Sequence, residues 1–517
     1  MSLQTNPQLE LAFDYVRETS TNIFLTGKAG SGKTTFLRQV KDDRCKRMAV
    51  VAPTGVAAIN AGGMTIHSLF QLPFGLHLPN VNRREEPTRL SREKRNLIRS
   101  LELLVIDEIS MVRADLLDAV DCALRKFRGD DRPFGNVQLL MIGDLHQLPP
   151  VVKQDDWEAI NQHYGTPYFF GSLALKKTNY VSIELKHIYR QSDATFIELL
   201  NKVRDNRLDE ATLRTLNSRY VPDFRPPPQE SYITLTATNA AALQINTRNL
   251  AKLPSESHRF TAQIVGDFPA HAYPTEEHLE LKLDAQVMFI KNDTQPEKRY
   301  FNGKIGRIVE IDEETIVVRC EESGREILVS PAEWTNVKYT LNETTKEVEE
   351  QVLGQFVQYP LKLAWAITIH KSQGLTFERA IIDAQAAFAH GQVYVALSRC
   401  KSFEGIVLRS RIDFSSVKTD PVVQHYSVEA ERNAPSDNEV QQAKRNYQQR
   451  LIEELFSFQA IEDSLSRLRR IYREHQSSLS AEASDQVSAL VRHSYETCSL
   501  IANKFNPQLL AYFQEAE

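Results

Sequence analysis

Along most of this chain, short apolar runs end abruptly in polar loops, and stretches with helical spacing follow. Residues 23–26, Leu103–Ile106 and Gln138–Ile142 read as buried strands of this kind, with a helix starting at 34–40 behind the first. The same strand-and-loop signal returns at 233–235, 363–370 and Gln392–Ser398. Strands without a polar face suit a parallel sheet covered by helices on both sides, so two α/β domains are expected. Between 276 and 359 the pattern changes to short alternating strands at 286–291, 306–311, 315–320 and Glu326–Val329, parted by polar turns such as DEET and ESGR. This predicts a small β-barrel inserted in the second domain. Near the end, Leu451, Leu455, Phe458, Leu465, Leu468 and Tyr472 recur at amphipathic helical spacing, and 485–514 predict one or two more helices. The expected division is a first lobe at 1–180, a second at 181–275 and 360–420, the barrel at 276–359, and a helical extension at 421–517. Prolines and the basic run RLSREKR mark a small insertion in the first lobe from 71 to 99, either over a ligand path or as a solvated helix.

Composition narrows the classes without choosing one. The 517 residues allow several domains of roughly 100–200 residues each. Five cysteines stand singly with no CxxC pair, which argues against a disulfide framework or a zinc site and suits a reducing compartment. The first residues have neither signal-peptide nor transit-peptide layout, and no apolar run is long enough to span a bilayer. A soluble, cytoplasmic protein with no membrane partner is expected. The formal charge of −5 gives no global sign of nucleic acid, so any phosphate contact must be local.

The most informative segment is NIFLTGKAGSGKTTFLRQV at 22–40. Gly27, Lys28, Ala29, Gly30, Ser31, Gly32, Lys33 and Thr34 fit the phosphate-binding pattern GxxxxGK[ST] between a strand and a helix. Glycines there let backbone amides and the helix start point at an anion. Lys33 is expected to reach the β- and γ-phosphates of ATP, and Thr34 to ligate magnesium. The run 103–106 ends in Asp107 and Glu108, expected on the metal and on the attacking water. After Gln138–Ile142 comes GDLHQLPP, where Gln147 is placed to touch a γ-phosphate; on its own it reads as a loop residue bonding its own backbone. Arg190 and Arg399 end elements of the second domain, as arginine fingers do, although a surface ion pair is the ordinary reading of either.

The order of these segments adds a resemblance. GKAGSGKTT, APTGVAAINAGGMTIHSLF, LLVIDEISMV, GDLHQLPPV, IYRQ, TATNAAALQIN, AITIHKSQGLTF and VYVALSRCKS resemble the full motif series of superfamily 1 helicases. GDLHQLPPV is similar to the RecD-like group, which moves 5′ to 3′. Within it, TIHSLF, LSRC and DLLDAVDCALRKFRGDDRPFGNVQ resemble the petite-integration-frequency (PIF) helicases, the last in part, since GDD replaces a more basic stretch. The resemblance covers residues 6–415.

It implies two RecA-like P-loop NTPase lobes with a small SH3-like β-barrel insertion and a helical C-terminal extension. It also implies an ATP-dependent DNA helicase moving 5′ to 3′ on single-stranded DNA. Such an enzyme opens duplex or structured DNA, G-quadruplexes included, in replication, repair, recombination or telomere maintenance. A translocase or remodeller that does not separate strands is the alternative the motifs allow. By resemblance, Gln8 reads the adenine, with a polar helix face as the plain alternative. Thr35 joins the phosphate loop, and Gln373 and Gly374 face the nucleotide from the second lobe. Pro53, Thr54, Thr65 and His67 on the first lobe, with Asn239, Thr368, His370 and Lys371 on the second, match positions lining the DNA path. Phe70 and Phe74 are candidates for base stacking or strand separation, or for plain packing. Single-stranded DNA and DNA junctions are the expected partners of a monomer, with the C-terminal helices open to a protein contact.

Overall fold

The computed structural model describes residues 6–78, 90–191, 193–227, 230–293, 295, 297, 299–320, 324–342, 348–383, 391–417, 419–432, 434–475 and 481–515. The chain divides into two units, Met1–Phe13 with Thr21–Ala434, and Asp14–Ser20 with Pro435–Glu517. Among the described residues no helix is long and apolar enough to cross a membrane.

The first unit opens with the first half of α1 (Pro7–Glu18), followed by β1 (Asn22–Gly27), α2 (Lys33–Asp43), β2 (Met48–Ala52), α3 (Gly55–Ala61), β3 (Met64–Thr65), α4 (Ile66–Phe70) and α5 (Arg92–Ser100). β4 (Leu103–Ile106), α6 (Ala114–Arg128), β5 (Gln138–Ile142), α7 (Gln154–Tyr164) and β6 (Tyr180–Leu185) follow. The six strands form one parallel sheet in the order β3-β2-β4-β5-β1-β6. Every residue of β4 and β5 is buried, as the apolar runs require of strands covered on both faces. The order reverses around β1, so the carboxyl ends of β1, β4 and β5 share one crevice, the usual ligand position of such sheets. The segment between α4 and α5 was expected to be an insertion; its residues 79–89 lie outside the described residues, and its basic end forms α5, capped by Ser91.

A second parallel sheet carries the second lobe, with β18 (Ala366–Thr368), β7 (Ile233–Thr236), β19 (Ala380–Ile382) and β20 (Ile406–Leu408) side by side in that order. Its elements are α8 (Ala194–Arg204), α9 (Glu210–Asn217), β7 (Ile233–Thr236) and α10 (Asn239–Lys252), then β18 (Ala366–Thr368), β19 (Ala380–Ile382), α11 (Gln392–Ser398) and β20 (Ile406–Leu408). Between α10 and β18 run β8 (Ser257–Thr261), β9 (Gln263–Gly266), β10 (His278–Lys282), β11 (Gln286–Phe289), β12 (Ile305–Ile311), β13 (Ile316–Arg319) and β14 (Glu326–Val329). The excursion closes with β15 (Ala332–Leu341), β16 (Val348–Gln358) and β17 (Leu361–Leu363). These strands pair antiparallel in three sheets, β14-β13-β12-β11-β17, β15-β16-β9 and β10-β8. α12 (Pro421–Arg432) ends the unit. Two apolar cores, one around β4 and β5 and one around α8, α11 and β7, mark the two lobes.

The second unit is helical: α13 (Asp437–Leu455), α14 (Gln459–Glu474), α15 (Ala481–Ser494) and α16 (Leu500–Glu515). Ser436 and Glu439 cap α13 reciprocally, satisfying two amides that would otherwise lack partners. Lys444 bridges Asp14 and Glu18, each at 2.7 Å, which ties the second half of α1 to this unit.

Four expectations need correction. Gln392–Ser398 is a helix, not a strand; all seven residues are buried, so its sequence shows no polar stripe from which helical spacing could be read. The first lobe runs past 180, because β6 pairs with β1 from Asn22↔Tyr180 to Gly27↔Leu185. The β-rich excursion begins at Ser257, before 276, since β8 pairs with β10 and β9 with β16. The extension does not begin at 421, because Val423 and Tyr426 of α12 enter the first lobe's core, with Tyr426 stacked on Phe170 at 4.1 Å.

Candidate active site

The phosphate-loop residues lie at the carboxyl end of β1. Gly30 and Gly32 adopt φ of 81° and 95°, a conformation glycine enters without a Cβ penalty. This turns the loop so that α2 starts at Lys33, with Thr34 and Thr35 exposed on its first turn. The Lys33 ammonium donates to the carbonyls of Gly27 (2.5 Å) and Lys28 (3.1 Å). Burial lowers its pKa, and the neighbouring Asp144 and Glu108 carboxylates oppose that shift.

Asp107 and Glu108 follow β4 directly, and Glu108 holds a positive φ of 52°. Burial first, and then the charge of Glu108, push Asp107 up to about 7; burial likewise raises Glu108, against the pull of Lys33 and Arg399. An acid pair that resists carrying both charges is one that a divalent cation would stabilise. Gln147, in the loop after β5, donates its amide to Asp144 Oδ2 at 3.0 Å. Asp144 is fully buried. Burial alone would raise its pKa, but Arg204 and then Lys33 bring it down to about 2.

Two cations meet this cluster, Arg399 from the second lobe and Arg190 from the segment that joins the lobes. The Arg399 side chain is 1% exposed and its donors go to Val395 O (3.0 Å), Ser372 O (3.4 Å) and Ser398 Oγ (3.0 Å). None of these acceptors carries a charge. Burial lowers its pKa, with Tyr394, Glu108 and Asp144 opposing. Arg190 donates to Ser398 O at 3.3 Å, beside Gln191, which reaches the carbonyls of Ser398 and Cys400 at 3.1 Å each. Burial, then the like charge of Arg399, lower Arg190 to about 9. Two buried guanidiniums without a bonded carboxylate, among the described residues, present strong unmet demand for an anion. The buried and unpartnered Ser31 Oγ and Gln373 Nε2 add polar groups in want of a partner. Gln373 follows β18, with Gly374 at φ 77° beside it. Together these groups fit a triphosphate with its divalent cation.

Gln8 is half-buried in the first turn of α1, and its amide is bonded by Asn6 Oδ1 at 3.1 Å. Asn6 donates to the Tyr189 hydroxyl at 3.3 Å, and the Tyr189 amide donates to Gly30 O at 2.9 Å, which connects the start of α1 to the phosphate loop.

The DNA-facing candidates occupy other strand ends. Pro53 and Thr54 follow β2, and Thr65 ends β3. Thr54 and Thr65 are N-caps, their hydroxyls accepting from the amides of Ala57 (3.2 Å) and Ser68 (3.1 Å). His67 stacks on Phe74 at 4.7 Å, and Phe74 is 86% exposed while Phe70 is buried in the core. Asp115 and Arg113 brace this loop, accepting from His77 N and donating to Gly75 O. In the second lobe Asn239 starts α10 and is exposed, Thr368 ends β18, and His370 and Lys371 are exposed just beyond it. The Thr368 hydroxyl accepts from the Lys371 amide at 3.1 Å. β2 lies beside β4, so the strand ends that bear the candidates Pro53 and Thr54 and the acids Asp107 and Glu108 are neighbours in one sheet.

Sequence reasoning missed four residues of this cluster: Asp144, Tyr189, Arg204 and Tyr394. The buried Tyr394 hydroxyl accepts from the Ala29 amide of the phosphate loop at 3.1 Å. Burial and Asp144 push its pKa up to about 12. The one available signal was a tyrosine inside an otherwise apolar run, whose hydroxyl needs a buried partner.

Residues 8–214 match the PIF1-like helicase family, and residues 439–517 match the middle domain of DNA helicases. The ATP-dependent DNA helicase Pif1 of Bdellovibrio bacteriovorus is 32% identical over 437 residues, spanning 82% of this chain and 92% of that protein. A crystal structure of Bacteroides sp Pif1 in complex with ADP-AlF4 superposes with a TM-score of 0.77 at 39% identity, covering 84% of this chain and 98% of the other. Bacteroides Pif1 bound to single-stranded DNA matches at TM-score 0.61 and 39% identity, over 84% and 99% of the two chains.

Proposed function

This chain belongs to the PIF1-like helicase family, and on that premise we propose that ATP turnover between its lobes drives it 5′ to 3′ along single-stranded DNA. It is an ATP-dependent DNA helicase with two RecA-like lobes. The observation that carries the reading is that Arg190, packed against Gly30 of the phosphate loop and bonded to Ser398 O, and the second lobe's buried Arg399 lie close enough to act on Lys33 and Glu108 respectively. Cations that cross a cleft to an acid pair and a phosphate-loop lysine are what phosphoryl transfer needs.

In this reading Lys33 and the loop amides hold the phosphates, and Thr34 with Asp107 would hold a magnesium ion, which when bound would supply positive charge against the phosphate oxygens. Glu108 takes the proton of the attacking water. Arg190 and Arg399 stabilise the charge that spreads over the transferred group. Tyr189, 46% exposed and joined to Asn6 and Gly30, offers an aromatic face to the adenine beside Gln8. Gln373 and Gly374 meet the nucleotide from the second lobe.

The DNA strand would run along the Pro53, Thr54, Thr65 and His67 edge, and along Asn239, Thr368, His370 and Lys371. It is held there through phosphates and by stacking on Phe74, so binding is tolerant of sequence and weakened by salt. Closure on ATP and release on hydrolysis, with grip alternating between lobes, moves the strand one way. The five-stranded sheet β14-β13-β12-β11-β17 is read as the SH3-like barrel. In the C-terminal unit the exposed Leu455, Leu468 and Ile471 support a protein contact.

Lys33→Ala is expected to lower ATP turnover about 10²–10³-fold, read as phosphate release, because a preorganised charge on the transferred group is lost. Direction is tested with matched duplexes carrying a 5′ or a 3′ single-stranded tail. Opening of the 5′-tailed substrate alone supports the proposal, and preferential opening of the 3′-tailed one overturns it. Hydrolysis on DNA with neither duplex opened would make the protein a translocase.

A further inference from the structure

We propose that Arg204 is a positioning residue that carries the state of Gln147 to the second lobe through Asp144. The inference rests on the reading of Gln147 as the group that meets the γ-phosphate.

Arg204 ends α8, whose Phe196, Leu199, Leu200 and Val203 are packed in the second lobe's core. Its guanidinium leaves that core and crosses to the first lobe. It reaches Asp144 at 3.3 Å and Glu184 at 3.7 Å, with its own neighbour Asp205 at 3.5 Å. The Asp144 side chain has no exposed surface and that of Arg204 has 9%. Asp144 is a shared acceptor, with one oxygen on Arg204 and the other on the Gln147 amide. Taking two charges out of water is costly, so a pair this buried persists only while its partners are in place. When Gln147 turns toward a phosphate, Asp144 loses a donor and its hold on Arg204 must readjust. Arg204 can do so without leaving the site, because Asp205 and Glu184 are carboxylates within 4 Å of it and its buried Nε has no partner.

The readjustment reaches the chemistry because α8 packs beside α11. α11 carries Tyr394, bonded to the Ala29 amide, and ends at Arg399. At its start, Gly391 lies so close to the carbonyls of His146 and Gln147 that a Cβ there would collide with both. α8 and α11 thus form one packed block touching the loop after β5 at two points. A shift of Arg204 against Asp144 is a shift of Arg399 against the phosphate loop.

A purely structural ion pair would hold the lobes together without making DNA affinity depend on nucleotide, and the test separates the two. Full-length wild type, Arg204→Gln and Arg204→Lys are titrated onto a fluorescent oligo-dT, with and without the non-hydrolysable analogue AMP-PNP. Wild type is expected to change its DNA affinity on binding the analogue. Arg204→Gln should reduce that change to within about twofold while KM for ATP moves less than about threefold. Arg204→Lys keeps the charge but not the fork, so it retains part of the change. Gln147→Ala combined with Arg204→Gln should be no worse than either alone, since both act through Asp144. Wild-type nucleotide dependence in Arg204→Gln, or in Arg204→Lys if the glutamine variant does not fold, overturns the proposal. A wild type whose DNA affinity ignores the analogue fails earlier, and removes the reading of Gln147 together with this one.

Discussion

Arg399→Ala is expected to lower DNA-stimulated ATP turnover by about 10³–10⁵-fold, the range found when an arginine finger is removed. Arg399 is 1% exposed, its donors end on two carbonyls and a hydroxyl, and Glu108 and Asp144 are close enough to influence its titration. A cation held this way is preorganised for charge that appears only as the phosphoryl group transfers. The loss should therefore fall on kcat, with KM for ATP little changed. Arg399→Lys should not restore the rate, since an ammonium cannot reproduce the planar fork. Steady-state phosphate release at saturating ATP and oligo-dT is the measurement. A loss of less than about tenfold would assign the finger role to Arg190 alone.

Glu108→Gln is expected to slow hydrolysis by about 10²–10⁴-fold while leaving ATP and DNA bound, because it removes a proton acceptor and little else. The amide matches the carboxylate in shape and keeps the backbone at its positive φ of 52°. ATP should then support the same tight hold on single-stranded DNA that a non-hydrolysable analogue gives the wild type. Stability supplies a second sign. Asp107 and Glu108 both have pKa values above the ordinary carboxylate range, Asp107 reaching about 7. The folded state therefore binds more protons than the unfolded chain, and ionising the pair costs stability as pH rises from the ordinary carboxylate range toward 7. Glu108→Gln removes one of the two charges, so its melting temperature at pH 8 should equal or exceed that of the wild type. Normal turnover in this variant would remove Glu108 from the chemistry.

What could be read from the sequence is what local backbone chemistry writes there. The glycines of the phosphate loop, the acids ending β4 and the order of segments all fix chemistry within a few residues, and the buried runs of β1, β4 and β5 follow from a sheet covered on both faces. What could not be read depends on partners distant in the chain. α11 looked like a strand because burial on every side erased the helical stripe. β8 was missed because only one of its five residues is buried, which leaves almost no apolar signal. The reach of the first lobe to Leu185 is set by β6 pairing with β1, more than a hundred residues earlier. Arg204 is a common basic ending for a helix until Asp144 is seen opposite it. Tyr394 likewise acquires meaning only against the amide of Ala29.

The most direct test of the whole account is ATP hydrolysis by the full chain with and without single-stranded DNA. The proposed DNA path and the acids end neighbouring strands of one sheet, and Arg399 reaches the acids from the second lobe, so the strand should stimulate turnover by about tenfold or more. A rate indifferent to DNA would contradict the coupling of the two sites and leave a nucleotide hydrolase without a track.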